Sequence, residues 1–175
     1  MKMQTVPNLA DHLAPDSIRS LGQAAICRFE DAMQLQNNGK TMAIYFYGYC
    51  AEMLLASAYY RRCGYAYDTP IDSITRRRTM ARARGLLDDA GQPLMEQNHP
   101  HPIAGWARLL RWHRVASPDL TDAERARLNQ AVKLAEGIYL HWRPELRYKT
   151  TEASVAQLKT VHDGADWLMR EREKL

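Results

Sequence analysis

The chain has 175 residues, 46% apolar and 25% charged, which suffices for a buried core and reads as one helical domain over 1–175, with its core at about 17–170. No run approaches the ~18 unbroken apolar residues of a membrane helix, and Met1-Lys2-Met3-Gln4-Thr5-Val6-Pro7 lacks the apolar stretch of a secretion signal, so a cytoplasmic protein without membrane contact is expected. Cys27, Cys50 and Cys63 are too few and too scattered for a disulfide framework, and a net charge of +4 permits contact with polyanions without requiring it.

Helical spacing dominates from the start. After the capping run Pro15-Asp16-Ser17, apolar residues recur at Ile18, Leu21, Ala25, Phe29, Ala32 and Met33, and Asn37-Asn38-Gly39 closes that helix. A second helix is expected from Lys40 to Cys63, with Gly64 as its left-handed stop. Tyr45, Tyr47 and Tyr49 alternate as a strand would, but the strong helix formers from Ala51 to Ala58 decide for helix.

Tyr65 to Pro70 reads as a loop, and Ile71 to Leu87 as a basic helix closed by Asp88-Asp89-Ala90-Gly91. A connection from Gln92 to Pro102 leads into a short amphipathic helix carrying Ile103, Trp106, Ala107, Leu109, Leu110 and Val115, ended by Ser117-Pro118. Thr121-Asp122-Ala123-Glu124 has the spacing of a capping box and opens a helix to about Trp142, before Pro144 breaks it. The last helix is expected from Thr151, with Val155, Leu158, Val161, Ala165 and Leu168 on one face. The sum is an all-α, up-and-down bundle of about five to six helices.

Glu52 stands alone as a carboxylate within Tyr45-Phe46-Tyr47-Gly48-Tyr49-Cys50-Ala51-Glu52-Met53-Leu54-Leu55-Ala56. A charge carried inside by such a helix needs a partner or a function. Tyr45 and Tyr49 share its stripe, and Trp142-Arg143-Pro144-Glu145-Leu146-Arg147-Tyr148 offers cations. The preferred reading is a structural pair of Glu52 with Arg147, next to Tyr148, pinning the final loop to the second helix. The other is a functional carboxylate at the mouth of a tyrosine-lined pocket.

Arg76, Arg77, Arg78, Arg82 and Arg84 place five arginines in nine residues without an acid among them. They spread over more than one helix face, and a phosphate-binding patch is one reading. A solvated face, or one paired with the flanking Asp68, Asp72, Asp88 and Asp89 within the chain or across a dimer, is the preferred one. His99-Pro100-His101, with Glu96 or His113, lacks the spacing of a metal site, and there is no Gly-rich phosphate loop or nucleophile elbow. No metal and no cofactor are expected.

With the helices placed, Tyr47-Gly48-Tyr49-Cys50-Ala51-Glu52-Met53-Leu54-Leu55 resembles the second-helix signature of HEPN-type domains, an Ala-Glu pair followed by leucines. His101-Pro102-Ile103, with Trp106 and Leu109-Leu110, is similar to their loop-to-helix element. Trp142 to Tyr148, followed by a helix with Ala153, Ala156 and Ala165, resembles the Arg-Tyr segment before their final helix. The likeness spans roughly 17 to 170. Ala56 stands where that family often has Lys, and the basic insert from Thr75 to Arg84 has no place in the minimal four-helix version.

Many HEPN domains are metal-independent ribonucleases that use an Arg and a His four to six residues apart at the start of the last helix. Here Arg147-Tyr148-Lys149 is followed by no His before His162. Arg108-Leu109-Leu110-Arg111-Trp112-His113 has the spacing, yet 18 Arg and 6 His produce about 0.6 such pairs by chance at one spacing and roughly 2 over three. Its preferred reading is the polar face of an amphipathic helix. The resemblance therefore implies a non-catalytic, homodimeric accessory module associated with RNA or a nucleotide, partnered by a nucleotidyltransferase or an antitoxin. Two alternatives remain open: an RNA endonuclease using Arg108 and His113, and a protein-interaction subunit with no nucleic-acid role.

Overall fold

Ser17 starts the fold with a reciprocal cap: its hydroxyl accepts the Ser20 N–H at 3.1 Å, and the Ser20 hydroxyl accepts the Ser17 N–H at 2.6 Å. The computed structural model describes residues 17–88, 90–95 and 101–175. These form an all-α bundle of six helices: α1 (Ile18–Leu35), α2 (Lys40–Arg62), α3 (Ser73–Ala83), α4 (Ile103–Val115), α5 (Asp122–His141) and α6 (Val155–Glu171). A 3₁₀ turn, Pro144–Tyr148, joins the last two. Among the described residues no helix is long and apolar enough to cross a membrane.

The second helix is the axis of the bundle. Fourteen of the 23 residues of α2 are buried, so it is enclosed all round rather than along one stripe. It packs on α1, α4, α5, α6 and the 3₁₀ turn. Gly64, at φ 82°, ends it in the left-handed conformation its position called for. All three cysteines are free thiols, and burial pushes the Cys50 thiol far up, which leaves it inert.

Two helices differ in extent from the sequence expectation. The basic helix is shorter than 71–87, because the Asp72 carboxylate accepts the Thr75 N–H at 2.6 Å and so caps it from Ser73. Ile71, 1% exposed, is a buried anchor ahead of that cap. Beyond Arg84 the chain makes a hairpin instead, with the Leu94 N–H bonded to the Leu86 carbonyl and the Asp88 N–H to that of Gln92. The last helix starts at Val155 rather than Thr151, because Ser154 and Gln157 form its capping box. Thr151 and Ala153 are clamped on α2 instead. The buried Thr41 hydroxyl donates to the Thr151 carbonyl and accepts the Ala153 N–H, both at 2.8 Å.

Candidate functional site

Glu52 projects from the middle of α2 and is 2% exposed, so its carboxylate depends on protein partners. It has two. Arg76 Nη2 donates to Oε1 at 3.3 Å, and His101 Nδ1 lies 2.9 Å from Oε2. Arg76 reaches it because the Asp72 cap fixes the register of α3. Residues Arg76, Thr79, Met80 and Ala83 then face the bundle, with Thr79 accepting the Tyr60 hydroxyl at 3.2 Å. His101 arrives from the other side, immediately before Pro102, the residue that opens α4.

Aromatic rings fix the imidazole. Tyr49 and Trp142 meet His101 edge-on, with centroids 5.5 and 6.1 Å away, and stand 5.3 Å from each other. Trp142 is held in turn by α2: its indole N–H donates to the Tyr45 carbonyl at 2.9 Å. The ring occupies the notch left by Gly48, where a Cβ would fall 2.0 Å from Trp142 Cδ1. Burial, reinforced by Tyr45, pushes the Tyr49 hydroxyl well above its ordinary range, so Tyr49 stays a neutral wall.

A carboxylate oxygen facing Nδ1 favours the tautomer that donates from Nδ1, and in that neutral form Nε2 is the acceptor. The His101 side chain is 31% exposed, and Glu52 orients the ring through Nδ1. Such an imidazole can accept a proton, and the Arg76 guanidinium beside it can neutralise an oxyanion.

The expected pair of Glu52 with Arg147 is overturned. Arg147 lies on the exposed 3₁₀ turn, over the Tyr148 ring at 4.6 Å, and its guanidinium is pushed up chiefly by the Tyr45 hydroxyl. Tyr45 is seven residues before Glu52, roughly 10 Å along the helix, which puts the carboxylate beyond the arginine's grip. The final loop is still tied to α2, through Tyr45 and Trp142.

Arg108 and His113 are not brought together. Arg108 donates through Nε and Nη2 to Glu136 on α5, at 3.1 and 2.7 Å. His113, about 140° further round the helix, packs edge-on against Tyr59 of α2 at 5.9 Å. Its buried Nδ1 has no hydrogen-bond partner among the described residues.

The basic run divides between two jobs. Arg76 turns inward, while Arg77, Arg78 and Arg82 share an exposed stripe with Ile74 and Ala81, and Arg84 is exposed at the C-terminal end. Three of the flanking acids are engaged elsewhere. Asp68 pairs with Arg19 at 2.7 Å, Asp72 caps α3 while Arg78 acts on it only through space, and Asp88 accepts the Ala90 and Gln92 N–H groups. Asp89 lies outside the described residues, as do Glu96, His99 and Pro100 of the weighed metal pattern. Among the described residues no three metal-binding side chains converge.

Sequence reasoning missed His101 and Arg76 as the partners of Glu52. The available signal was the lone carboxylate itself, which demands a partner without naming one. No protein-family model matches the chain, and neither does any curated protein or solved structure.

Proposed function

We propose that this protein is a nucleic-acid-associated helical bundle, HEPN-like in plan, that holds a phosphate backbone along the outer face of α3. One observation carries this reading: Arg77, Arg78 and Arg82 stand on a single exposed stripe of α3, a row of guanidinium groups on one face of the helix. An arginine stripe of that kind binds by displacing the counterions of a polyanion, without reading sequence. In this reading the protein is a homodimeric, cytoplasmic accessory module. A salt-sensitive electrophoretic shift with single-stranded RNA, lost in the Arg77→Glu/Arg78→Glu variant, tests it; a shift of equal strength in that variant rejects it.

A second reading is favoured by the Glu52–His101 pair beside Arg76. There His101 Nε2 takes the proton of a ribose 2′-hydroxyl as the O2′–P bond forms. The P–O5′ bond breaks, the leaving oxygen takes a proton from water, and Arg76 neutralises the phosphorane. Cleavage of single-stranded RNA in the presence of a chelator, abolished by His101→Asn, supports this reading. Intact RNA after prolonged incubation removes it and leaves the binding role in place.

A further inference from the structure

We propose that a cavity between α4 and the hairpin that follows α3 takes an unstacked guanine base from a single-stranded nucleic acid; this rests on the phosphate-binding role given to α3. The cavity encloses about 230 Å³, and its walls include Asp88, Leu94, Arg108, Arg111, Trp112 and Val115. That is below the common range for drug-sized ligands and suits one base rather than two.

Three kinds of contact meet there. Trp112 is 41% exposed and offers an aromatic platform on which a base can stack, and Leu94 and Val115 supply apolar floor. Arg108 uses Nε and Nη2 on Glu136, which leaves Nη1 to donate to a ligand. The Asp88 carboxylate is the acceptor. The Ala90 and Gln92 amides both bond its Oδ1, at 2.9 and 2.8 Å, leaving Oδ2 for the ligand. Those amides, Gln92 first, together with Arg108 and Arg111, hold the Asp88 carboxyl below its usual range.

Guanine matches this arrangement best. Its N1–H and N2–H₂ are adjacent donors that can converge on the remaining Oδ2, and its O6 and N7 accept from a guanidinium. Cytosine and adenine offer an amino group beside a ring acceptor, and uracil flanks its single N–H with two carbonyls that a carboxylate repels. The chain itself links the two sites: Arg84 ends α3, and the following hairpin delivers Asp88 to the cavity. A strand lying on Arg77, Arg78 and Arg82 can therefore lodge one base beside Trp112.

The test titrates the full chain with fluorescein-labelled octauridylate and with the same labelled oligomer carrying one central guanine, following fluorescence anisotropy, and with GMP, AMP and CMP alone, following tryptophan fluorescence. Trp106 and Trp142 are fully buried and Trp167 on α6 is half-buried, so the nucleotide titration uses a Trp167→Phe background, in which quenching by a ligand reports chiefly on Trp112. The guanine oligomer should bind about tenfold tighter than octauridylate, GMP alone among the nucleotides should quench, and Asp88→Asn and Trp112→Leu should each bring the ratio to one. Asn keeps an oxygen for the two amides but turns a donor toward guanine. Equal affinity for the two oligomers overturns the guanine site and leaves the α3 reading standing. Quenching by GMP without binding of either oligomer supports the site and rejects the α3 reading. A guanine preference that survives in both variants overturns the proposal.

Discussion

Glu52 and His101, 49 residues apart in the chain, meet at 2.9 Å inside a wall of tyrosine and tryptophan rings. Arg76 closes the other carboxylate oxygen at 3.3 Å, so three segments converge on one buried acid. Glu52→Gln turns an amide donor toward groups that already donate, and should cost about 1–3 kcal/mol of stability. Arg76→Met should cost a similar amount, because it strips a partner from a carboxylate that is 2% exposed. Combining the two should cost less than their sum, since the second loss removes a problem left by the first. Thermal or urea unfolding of the four proteins measures this, and strict additivity would count against the pairing.

Gly48→Ala is expected to be among the most damaging small substitutions in the chain. The new methyl would land 2.0 Å from Trp142 Cδ1 and 2.1 Å from its Nε1. The indole must shift, which strains its bond to the Tyr45 carbonyl and opens the wall behind His101. A loss of about 3 kcal/mol is expected, or roughly 6–12 °C in melting temperature for a chain of this size. An alanine variant melting like the parent would show that the notch is not needed.

Thr41→Val tests the clamp at the start of α6. Valine fills the same space but removes the hydroxyl that serves the Thr151 carbonyl and the Ala153 N–H. Leaving these groups without their partner should cost about 1–3 kcal/mol. Amide hydrogen exchange should rise first at Ala153, which gives a local readout beside the global one.

The buried tyrosines set an alkaline limit. Burial raises the Tyr47 hydroxyl to about 12, and shifts those of Tyr49, Tyr59 and Tyr60 in the same direction. A folded-state value above the unfolded one means that the native protein holds protons the unfolded chain has released. Stability from these groups is therefore complete below about pH 10, the unfolded tyrosine value, and declines as pH rises through their folded values. Tyrosinate absorbance and melting temperature, followed together from pH 9 to 12, should show ionisation of the buried set coinciding with unfolding. Free titration of every tyrosine in a protein that stays folded would contradict the packing described.

For the α3 stripe, the salt dependence of RNA binding is more telling than the affinity. Each phosphate neutralised on a single strand adds about 0.7 to the slope of log affinity against log salt. Arg77→Glu/Arg78→Glu should flatten that slope by roughly 1.4 or more. Unchanged slope with weakened binding would move the contact away from these residues.

Much of the fold is legible in the sequence because its signals are local. The Thr121–Glu124 cap, the Gly64 stop and the amphipathic spacing of α1 and α4 each involve residues within a turn or two of one another. Where two caps compete nearby, as Thr151 and Ser154 do, the choice belongs to a distant residue; here it is Thr41, which takes Thr151 and Ala153 for itself. The site was legible only in half. Glu52 announced a need for partners, but Arg76 and His101 lie 24 and 49 residues away, and nothing in their spacing marks them out from the other arginines and histidines. Arg147 was the plausible wrong choice, close in kind but a turn and more too far along α2.

The tryptophan in the Gly48 notch ties the site to the order in which the molecule assembles. The α1–α2 hairpin can form from neighbouring segments alone, yet the notch is filled only when the end of α5 arrives, 97 residues beyond the carbonyl it bonds. Until then His101 has no rear wall and Glu52 no sealed chamber. The geometry of this site is thereby a property of the finished bundle, and a chain stalled partway through folding would carry the arginine helix without the oriented imidazole beside it.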